Sequence, residues 1–94
     1  MELRFSGEVW FWRGPSPFHF VTVPEIESAA IKSIAPALTY GWGAIPCAVV
    51  VGETRFTTSL FPKNGGYVLP LKTAVRTAED IDLGDEISVT IIID

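Results

Sequence analysis

The sequence predicts a mainly β fold: a small six-stranded β-barrel, closed or nearly closed, with two short helices capping its ends, in one domain spanning residues 1–94. Strand-like alternation of apolar and polar residues recurs along the chain, turn-forming dipeptides separate the alternating segments, and only two short segments have helical spacing. The predicted order, β-β-α-β-β-β-α-β, is too rich in strands for a doubly wound sheet. Closing the sheet into a barrel removes its exposed edges. The sequence shows no internal repeat.

The first half of the chain predicts two strands followed by a helix. From Glu2 to Trp12 apolar and polar residues alternate, which is typical of a strand with one buried face. The prolines after it predict a loop, and a second strand runs from Phe18 to Val23. Pro24 suits the first turn of a helix, and apolar residues recur at a spacing of four, so we expect a helix from Pro24 to Ala35 that ends near Pro36.

The second half predicts a three-stranded meander, a helical turn and a last strand. The nearly all-apolar segment Ile45–Val51 is typical of a strand covered on both faces. Gly52-Glu53 predicts a type II′ hairpin turn, and Asn64-Gly65 is the strongest hairpin dipeptide of the chain. The remaining predicted elements are strands Thr54–Phe61 and Tyr67–Leu71, helical residues Lys72–Ala78, a turn over Asp82–Asp85 and a strand over Glu86–Asp94.

Charge is distributed unevenly along the chain. The segment from Thr54 to Ala78 has four basic residues and no acidic one, so it carries +4 within a chain of net charge −4, and the rest sums to −8. A local positive field in an acidic protein can bind a small anion or an acidic partner. The predicted anion-binding residues are Arg55, Ser59, Lys63, Lys72 and Arg76, where arginine supplies a planar fork and lysine a point charge. The alternative is that these cations are solvated surface groups.

Aromatic residues predict a second candidate surface. Trp10 and Trp12 alternate with Val9 and Phe11, so they point away from the face that holds those residues. The candidates are Trp10, Trp12, Trp42 and Tyr67. They form either a pocket or partner surface, or a second core covered by the helix that follows Pro24.

The sequence offers no metal or disulfide chemistry. A single cysteine, Cys47, lies in an apolar run, where a buried, inert thiol is the expected outcome. His19 is the only histidine and lies between two phenylalanines without a carboxylate partner nearby in sequence, so no metal site and no cofactor are predicted.

Several segments together resemble a known bacterial family, the domains of unknown function called DUF1905. The resemblance covers almost the whole chain and rests on Phe5-Ser6-Gly7-Glu8, residues 54–62 (TRFTTSLFP), residues 65–72 (GGYVLPLK), Val75-Arg76 and Gly84-Asp85-Glu86-Ile87. It implies a double-split β-barrel capped by helices, with no assigned activity.

A more distant similarity involves the swapped-hairpin barrels of AbrB-type regulators and the antidote MazE, which are dimers that bind DNA. It rests on Leu69-Pro70, Val75-Arg76 and residues 83–87 (LGDEI). In that pattern a proline opens the helix directly, whereas here Leu71-Lys72 intervene. This chain also carries two hairpin-like halves in one polypeptide instead of one.

Three classes of function follow. The leading prediction is a non-catalytic binding or interaction module for a small anion or an acidic protein partner. The alternative is a DNA-binding regulator of the swapped-hairpin type, although a net charge of −4 disfavours nucleic acid. The third is a small enzyme, which requires carboxylates such as Glu8 or Glu53 to lie in an apolar cleft. We expect a cytoplasmic protein, because neither a targeting leader nor an apolar run of the ~20 residues that span a bilayer is visible. We also expect a monomer or a weak homodimer.

Overall fold

The protein is described by a computed structural model over residues 1–15, 18–38 and 43–94. The mainly β fold class and the predicted order of elements are confirmed. The elements are β1 (Glu2–Trp12), β2 (Phe18–Thr22), α1 (Glu25–Leu38), β3 (Ile45–Val51), β4 (Thr54–Lys63), β5 (Gly66–Leu71), α2 (Thr73–Ala78) and β6 (Glu86–Ile92).

The strands form a closed antiparallel barrel in the order β1-β2-β5-β4-β3-β6. The wall of the barrel consists of two sheets, and β1 and β4 each take part in both of them. Residues 2–8 of β1 pair with β6 and residues 9–12 pair with β2, while residues 54–60 of β4 pair with β3 and residues 61–63 pair with β5. We call the sheet made by residues 9–12, β2, β5 and residues 61–63 the front sheet, and the other sheet the back sheet.

The strand pairing has an internal two-fold character. Each half of the chain runs strand, strand, helix, strand, first as β1-β2-α1-β3 and then as β4-β5-α2-β6. Exchanging the halves turns the β1–β2 pair into β4–β5 and the β1–β6 pair into β4–β3, and it maps β2–β5 and β3–β6 onto themselves. The order and pairing of the strands are therefore duplicated although the sequence shows no repeat.

Inward-pointing side chains fill the barrel. Alternate residues of a strand face the same side, so each strand contributes every second residue to the core. Fully burying one aliphatic side chain of this size contributes about 1.5–3 kcal/mol. The largest fully buried side chains are Ile31, Ile45, Leu60, Leu69, Leu71, Ile91, Val9, Val21, Val49 and Val89.

β3 differs from its prediction in its outer face. Burial alternates along the strand, and Pro46 is exposed, so the expectation that β3 is covered on both faces is wrong. A barrel buries only the inner face of its wall, and apolar residues outside it give the same continuous sequence signal as a doubly covered strand. Pro46 precedes the part of β3 that pairs with β6, which begins at Ala48, so its missing N–H costs no bond there.

Helix α1 runs past the point at which the sequence predicts its end. The helix contains Pro36 and ends at Leu38. Proline removes the backbone hydrogen bond that its own position would otherwise donate within the helix. Ile31 and Ala35 are buried in the barrel core, so packing holds this part of the helix in place.

The two hairpin turns have the predicted chemistry. Gly52 has φ +58°, as the first central residue of a type II′ turn requires, and Asn64 and Gly65 have φ values of 51° and 81°, as in a type I′ turn. The carboxylate of Glu79 lies against Gly52 and accepts a hydrogen bond from Thr54 Oγ1 at 2.6 Å. Among the described residues, no helix has the length and apolarity to cross a membrane.

Candidate functional site

The outer face of the front sheet carries a cluster of aromatic side chains. Trp10 and Trp12 of β1 lie opposite Phe20 and Phe18 of β2, because cross-strand partners share a face. The ring centroids of Trp10 and Trp12 lie 5.4 and 6.3 Å from that of Phe20, and the ring of Phe18 stacks on Phe20 at 5.8 Å. These separations suit attraction between aromatic rings. The three neighbouring rings leave Phe20 only 6% exposed although its side chain points out of the barrel.

Helix α1 borders this cluster without covering it. Trp12 remains 37% exposed. Trp10 is half-buried, and its indole Nε1–H donates to Thr22 Oγ1 at 2.9 Å. Trp10 forms one wall of a cleft whose other wall includes Glu25 and Ala29 of α1. Of the two alternatives for the tryptophans, the geometry therefore favours an open surface over a second core.

A third predicted aromatic residue, Tyr67, does not belong to the exposed cluster. Tyr67 is only 6% exposed and packs in the barrel core, so its prediction as a surface residue is wrong. Tyr67 is placed there by its pairing with Pro62 and by the hydrogen bond from the Val23 N–H to its carbonyl at 3.0 Å. Trp42 lies outside the residues that the structure describes.

A shallow groove follows the aromatic cluster. One depression, of about 240 Å³, is lined by Trp12, Phe18, Phe20, Phe61 and Pro70. A second, of about 230 Å³, shares three of these residues and continues to Lys63. The Lys63 ammonium lies 5.6 Å from the ring centroid of Trp12, within range of a cation–π attraction. We call this surface, defined by Trp12, Phe18, Phe20, Phe61, Pro70 and Lys63, the aromatic groove.

A larger cleft, of about 580 Å³, separates α1 from the β4–β5 turn, and we call it the helix cleft. Lys63 also lines this cleft, together with Lys32 from α1 and Asn64 from the turn. The Lys32 ammonium donates to the Gly65 carbonyl at 3.3 Å. Glu25 is the one carboxylate among the described lining residues, so two ammonium groups face a single negative charge.

A close contact fixes the width of the helix cleft. Ser28 is only 5% exposed, and its hydroxyl donates to the Val23 carbonyl at 3.1 Å. A Cβ added at Gly66 would lie 3.2 Å from Ser28 Oγ, so the absence of a side chain at Gly66 lets α1 approach the hairpin. The sequence prediction missed Lys32. Its spacing of four from Ser28 places both on one face of the helix, but only the fold shows that the β4–β5 turn packs there.

The predicted cations are spread over different surroundings. Arg55 and Ser59 line a cavity of about 650 Å³ on the back sheet, where Asp94 is another lining residue. Lys72 reaches towards the same strand, and its ammonium donates to the Thr57 carbonyl at 3.5 Å. These contacts place Arg55, Ser59 and Lys72 around one part of β4.

Lys63 and Arg76 lie elsewhere. Lys63 contacts the aromatic groove and the helix cleft, whereas the Arg76 guanidinium donates to the Leu71 carbonyl at 3.4 Å and to Thr73 Oγ1 at 3.1 Å. The five predicted residues thus do not all line any one of the four cavities described above. Anion binding by this set stays a prediction, and only Lys63 joins the cleft beside α1.

The cysteine and the histidine have no arrangement that indicates catalysis. Burial raises the pKa of the Cys47 thiol to about 11, which keeps it protonated near neutral pH. Burial, and next the charge of Arg76, lower the pKa of His19, whose ring packs edge-on against Phe11 at 5.1 Å. Within the described residues there is no group of His, Cys, Asp and Glu side chains that could hold a metal ion.

The two carboxylates of the enzyme hypothesis are on the surface. Glu8 and Glu53 are exposed, and neither lines the helix cleft or the aromatic groove. The hypothesis requires an apolar cleft around one of them, and the surroundings of Glu8 and Glu53 do not supply it.

Comparison with known proteins supports the family resemblance and adds no activity. None of the curated proteins matches the chain. A family model described as "Domain of unknown function (DUF1905)" matches residues 5–91, nearly the whole chain. With this match and the barrel built from its segments, the chain belongs to the DUF1905 family.

Proposed function

We propose that this protein is a non-catalytic binding module that holds a small anion in the helix cleft. One observation carries the proposal: Lys32 and Lys63 come from elements far apart in sequence and line one open cleft together with the side-chain amide of Asn64. Ammonium and amide N–H groups are the donors that phosphates and carboxylates accept. The cleft is open to solvent, so the anion can enter without a conformational change.

The proposal narrows the anion site predicted from sequence. Lys63 is retained and Lys32 is added to the site. Lys72 and Arg76 instead donate to backbone carbonyls elsewhere, and Arg55 lines the cavity on the back sheet. The cavity beside Arg55 is a weaker candidate because one guanidinium there faces the Asp94 carboxylate, whereas two ammonium groups face one carboxylate in the helix cleft. An acidic protein partner would present the same carboxylate chemistry to Lys32 and Lys63.

The test is a titration with inorganic phosphate and with acetate, followed by NMR of the ¹⁵N-labelled protein. We expect saturable shifts of the Gly65 and Gly66 amides and of the Trp10 indole N–H, because these groups line the cleft. Raising the salt concentration should weaken binding, since exposed charges are screened.

Charge variants separate the cleft from the rest of the surface. Lys32→Met and Lys63→Met should each weaken phosphate binding roughly three- to tenfold, the range expected for one partly exposed charge-assisted contact. Glu25→Gln should strengthen it because it removes the opposing charge. Lys72→Met is the matched control and should leave affinity unchanged. Absence of saturable binding, or an equal loss in Lys72→Met, would refute the proposal.

A further inference from the structure

The aromatic groove is apolar along most of its length and cationic at one end. In the depression between Trp12, Phe18 and Pro70, every described lining residue is apolar. Several of the side chains are unusually exposed for their size: Trp12 is 37%, Phe18 42% and Phe61 43% exposed. Contiguous exposed aromatic surface of this kind marks a binding site more often than an inert surface.

Lys63 joins the aromatic groove to the helix cleft. It is the one charged residue among the described residues that line the groove, and it also lines the cleft. A ligand that spans the junction therefore meets aromatic rings on one side and an ammonium on the other. Carboxylates and phosphates pair with the ammonium, whereas a flat ring or an alkyl chain packs on the tryptophan and phenylalanines.

The tryptophan that forms this wall is held in place. Gly14 lies so close to the outer edge of the Trp12 ring that a Cβ there would collide with it. The Trp12 ring also contacts Phe20 and lies beneath the Lys63 ammonium. These contacts preorganise the Trp12 ring, so little conformational entropy remains to be lost when a ligand binds.

We propose that the ligand is an amphiphilic anion, an aromatic carboxylate whose ring lies in the aromatic groove and whose carboxylate pairs with Lys63. This inference rests on the proposed function, because it assigns the apolar part of the same ligand. The two joined depressions approach the lower end of the ~300–1,000 Å³ typical of small-molecule sites, which suits one or two fused rings.

The test compares 2-naphthylacetate with three other probes: its neutral amide 2-naphthylacetamide, acetate and inorganic phosphate. Binding is followed by NMR of the ¹⁵N-labelled full chain, with the indole N–H of Trp12 assigned by Trp12→Phe. We expect 2-naphthylacetate to bind at least roughly tenfold more tightly than acetate, because only it buries a ring. The amide should bind roughly three- to tenfold more weakly than the acid, because it cannot pair with an ammonium.

Variants test the two ends of the groove. Phe61→Ala should weaken 2-naphthylacetate binding roughly fivefold or more and leave acetate and phosphate unchanged, because it removes a ring that only the naphthyl group contacts. Phe11→Ala is the matched control: Phe11 has 37% exposure, close to that of Phe61, but packs against His19 outside the groove. It should not change the affinity for 2-naphthylacetate. Circular dichroism of both variants checks that the barrel is intact.

The outcomes separate the inference from the proposed function. If acetate and phosphate bind as tightly as 2-naphthylacetate and Phe61→Ala has no effect, the groove takes no part and this inference is refuted while the anion site stands. If the amide binds as tightly as the acid and Lys63→Met has no effect on the acid, the pairing with Lys63 is refuted. If none of the anions binds, both proposals are refuted.

Discussion

Ser28 and Gly66 offer a direct test of the packing that forms the helix cleft. Because Ser28 Oγ occupies the space beside Gly66, the two positions should be energetically coupled. The perturbation is a double-mutant cycle of Ser28→Ala, Gly66→Ala and the two combined. Gly66 lies in β5 without a positive φ, so alanine there is limited by space and not by backbone conformation.

The expected energies follow from the distances. Ser28→Ala removes a buried hydroxyl that donates to the Val23 carbonyl at 3.1 Å, which should cost about 1–2 kcal/mol. Gly66→Ala places a methyl group 3.2 Å from Ser28 Oγ, closer than the ~3.5–4.0 Å optimum for non-bonded atoms. In the Ser28→Ala background the nearest remaining atom is Ser28 Cβ at 3.6 Å, an ordinary contact. We therefore expect the double variant to be more stable than the sum of the single effects, by about 0.5–1.5 kcal/mol.

The assay is urea unfolding followed by tryptophan fluorescence, with the free energy of unfolding from linear extrapolation. Ser33→Ala is the matched control, because Ser33 is an exposed serine of the same helix whose hydroxyl donates to the Ala30 carbonyl. Combined with Gly66→Ala it should be additive within about 0.3–0.5 kcal/mol. Additive effects in the Ser28 cycle, or a double variant less stable than the sum, would show that α1 does not contact the hairpin in this way.

Two further predictions concern stability. Gly52→Ala should lower the melting temperature more than Gly65→Ala. Both positions have a positive φ, but only at Gly52 would the added Cβ collide with another group, the Glu79 carboxylate. Equal losses of melting temperature would contradict the placement of Glu79. The Cys47 thiol keeps its proton up to a pKa of about 11 when folded, whereas the unfolded thiol loses it near 9.0. The unfolded state therefore binds fewer protons between these values, and the free energy of unfolding should fall as pH rises. Cys47→Ala should reduce the fall in the free energy of unfolding between pH 8 and pH 11 by up to roughly 2–3 kcal/mol. The measurement is a denaturant titration at each pH, and identical pH profiles of the variant and the original protein would refute the prediction.

Local sequence patterns were sufficient for the strands and their turns. β1 and β3 have the predicted bounds because Gly14 and Pro15 follow the alternating segment, and Gly43 and Gly52 border the apolar run. The Asn64-Gly65 dipeptide specifies its turn through positive φ at both residues, and this requirement needs no tertiary contact. Such signals are local, and so a single sequence contains them.

The site depended on contacts that a local pattern does not contain. Nothing near Lys32 in sequence indicates that it reaches the carbonyl of Gly65. The charge asymmetry includes Lys63, but the other predicted cations lie along the barrel wall in other surroundings, so the net charge of a segment does not indicate one cluster in space. Tyr67 shows the same limit, because strand alternation does not tell which face of a strand is inside.

The two-fold pairing pattern relates the tryptophan and the lysine that meet in the aromatic groove. Val9 and Leu60 are buried at matching places on the two long strands, so Trp12 and Lys63, each three residues further on, occupy equivalent positions. Exchanging the two halves of the chain also maps β2 onto its neighbour β5. The groove contains Phe18 and Phe20 of β2 and Pro70 of β5. Identical side chains at the two positions would give this part of the groove one chemistry. Trp12 instead supplies an indole at one position and Lys63 an ammonium at the other, and the two side chains lie in contact. The end of the groove at Phe18 and Pro70 has no charged residue among its described lining, so an apolar group suits that end and an anionic group suits the end at Lys63.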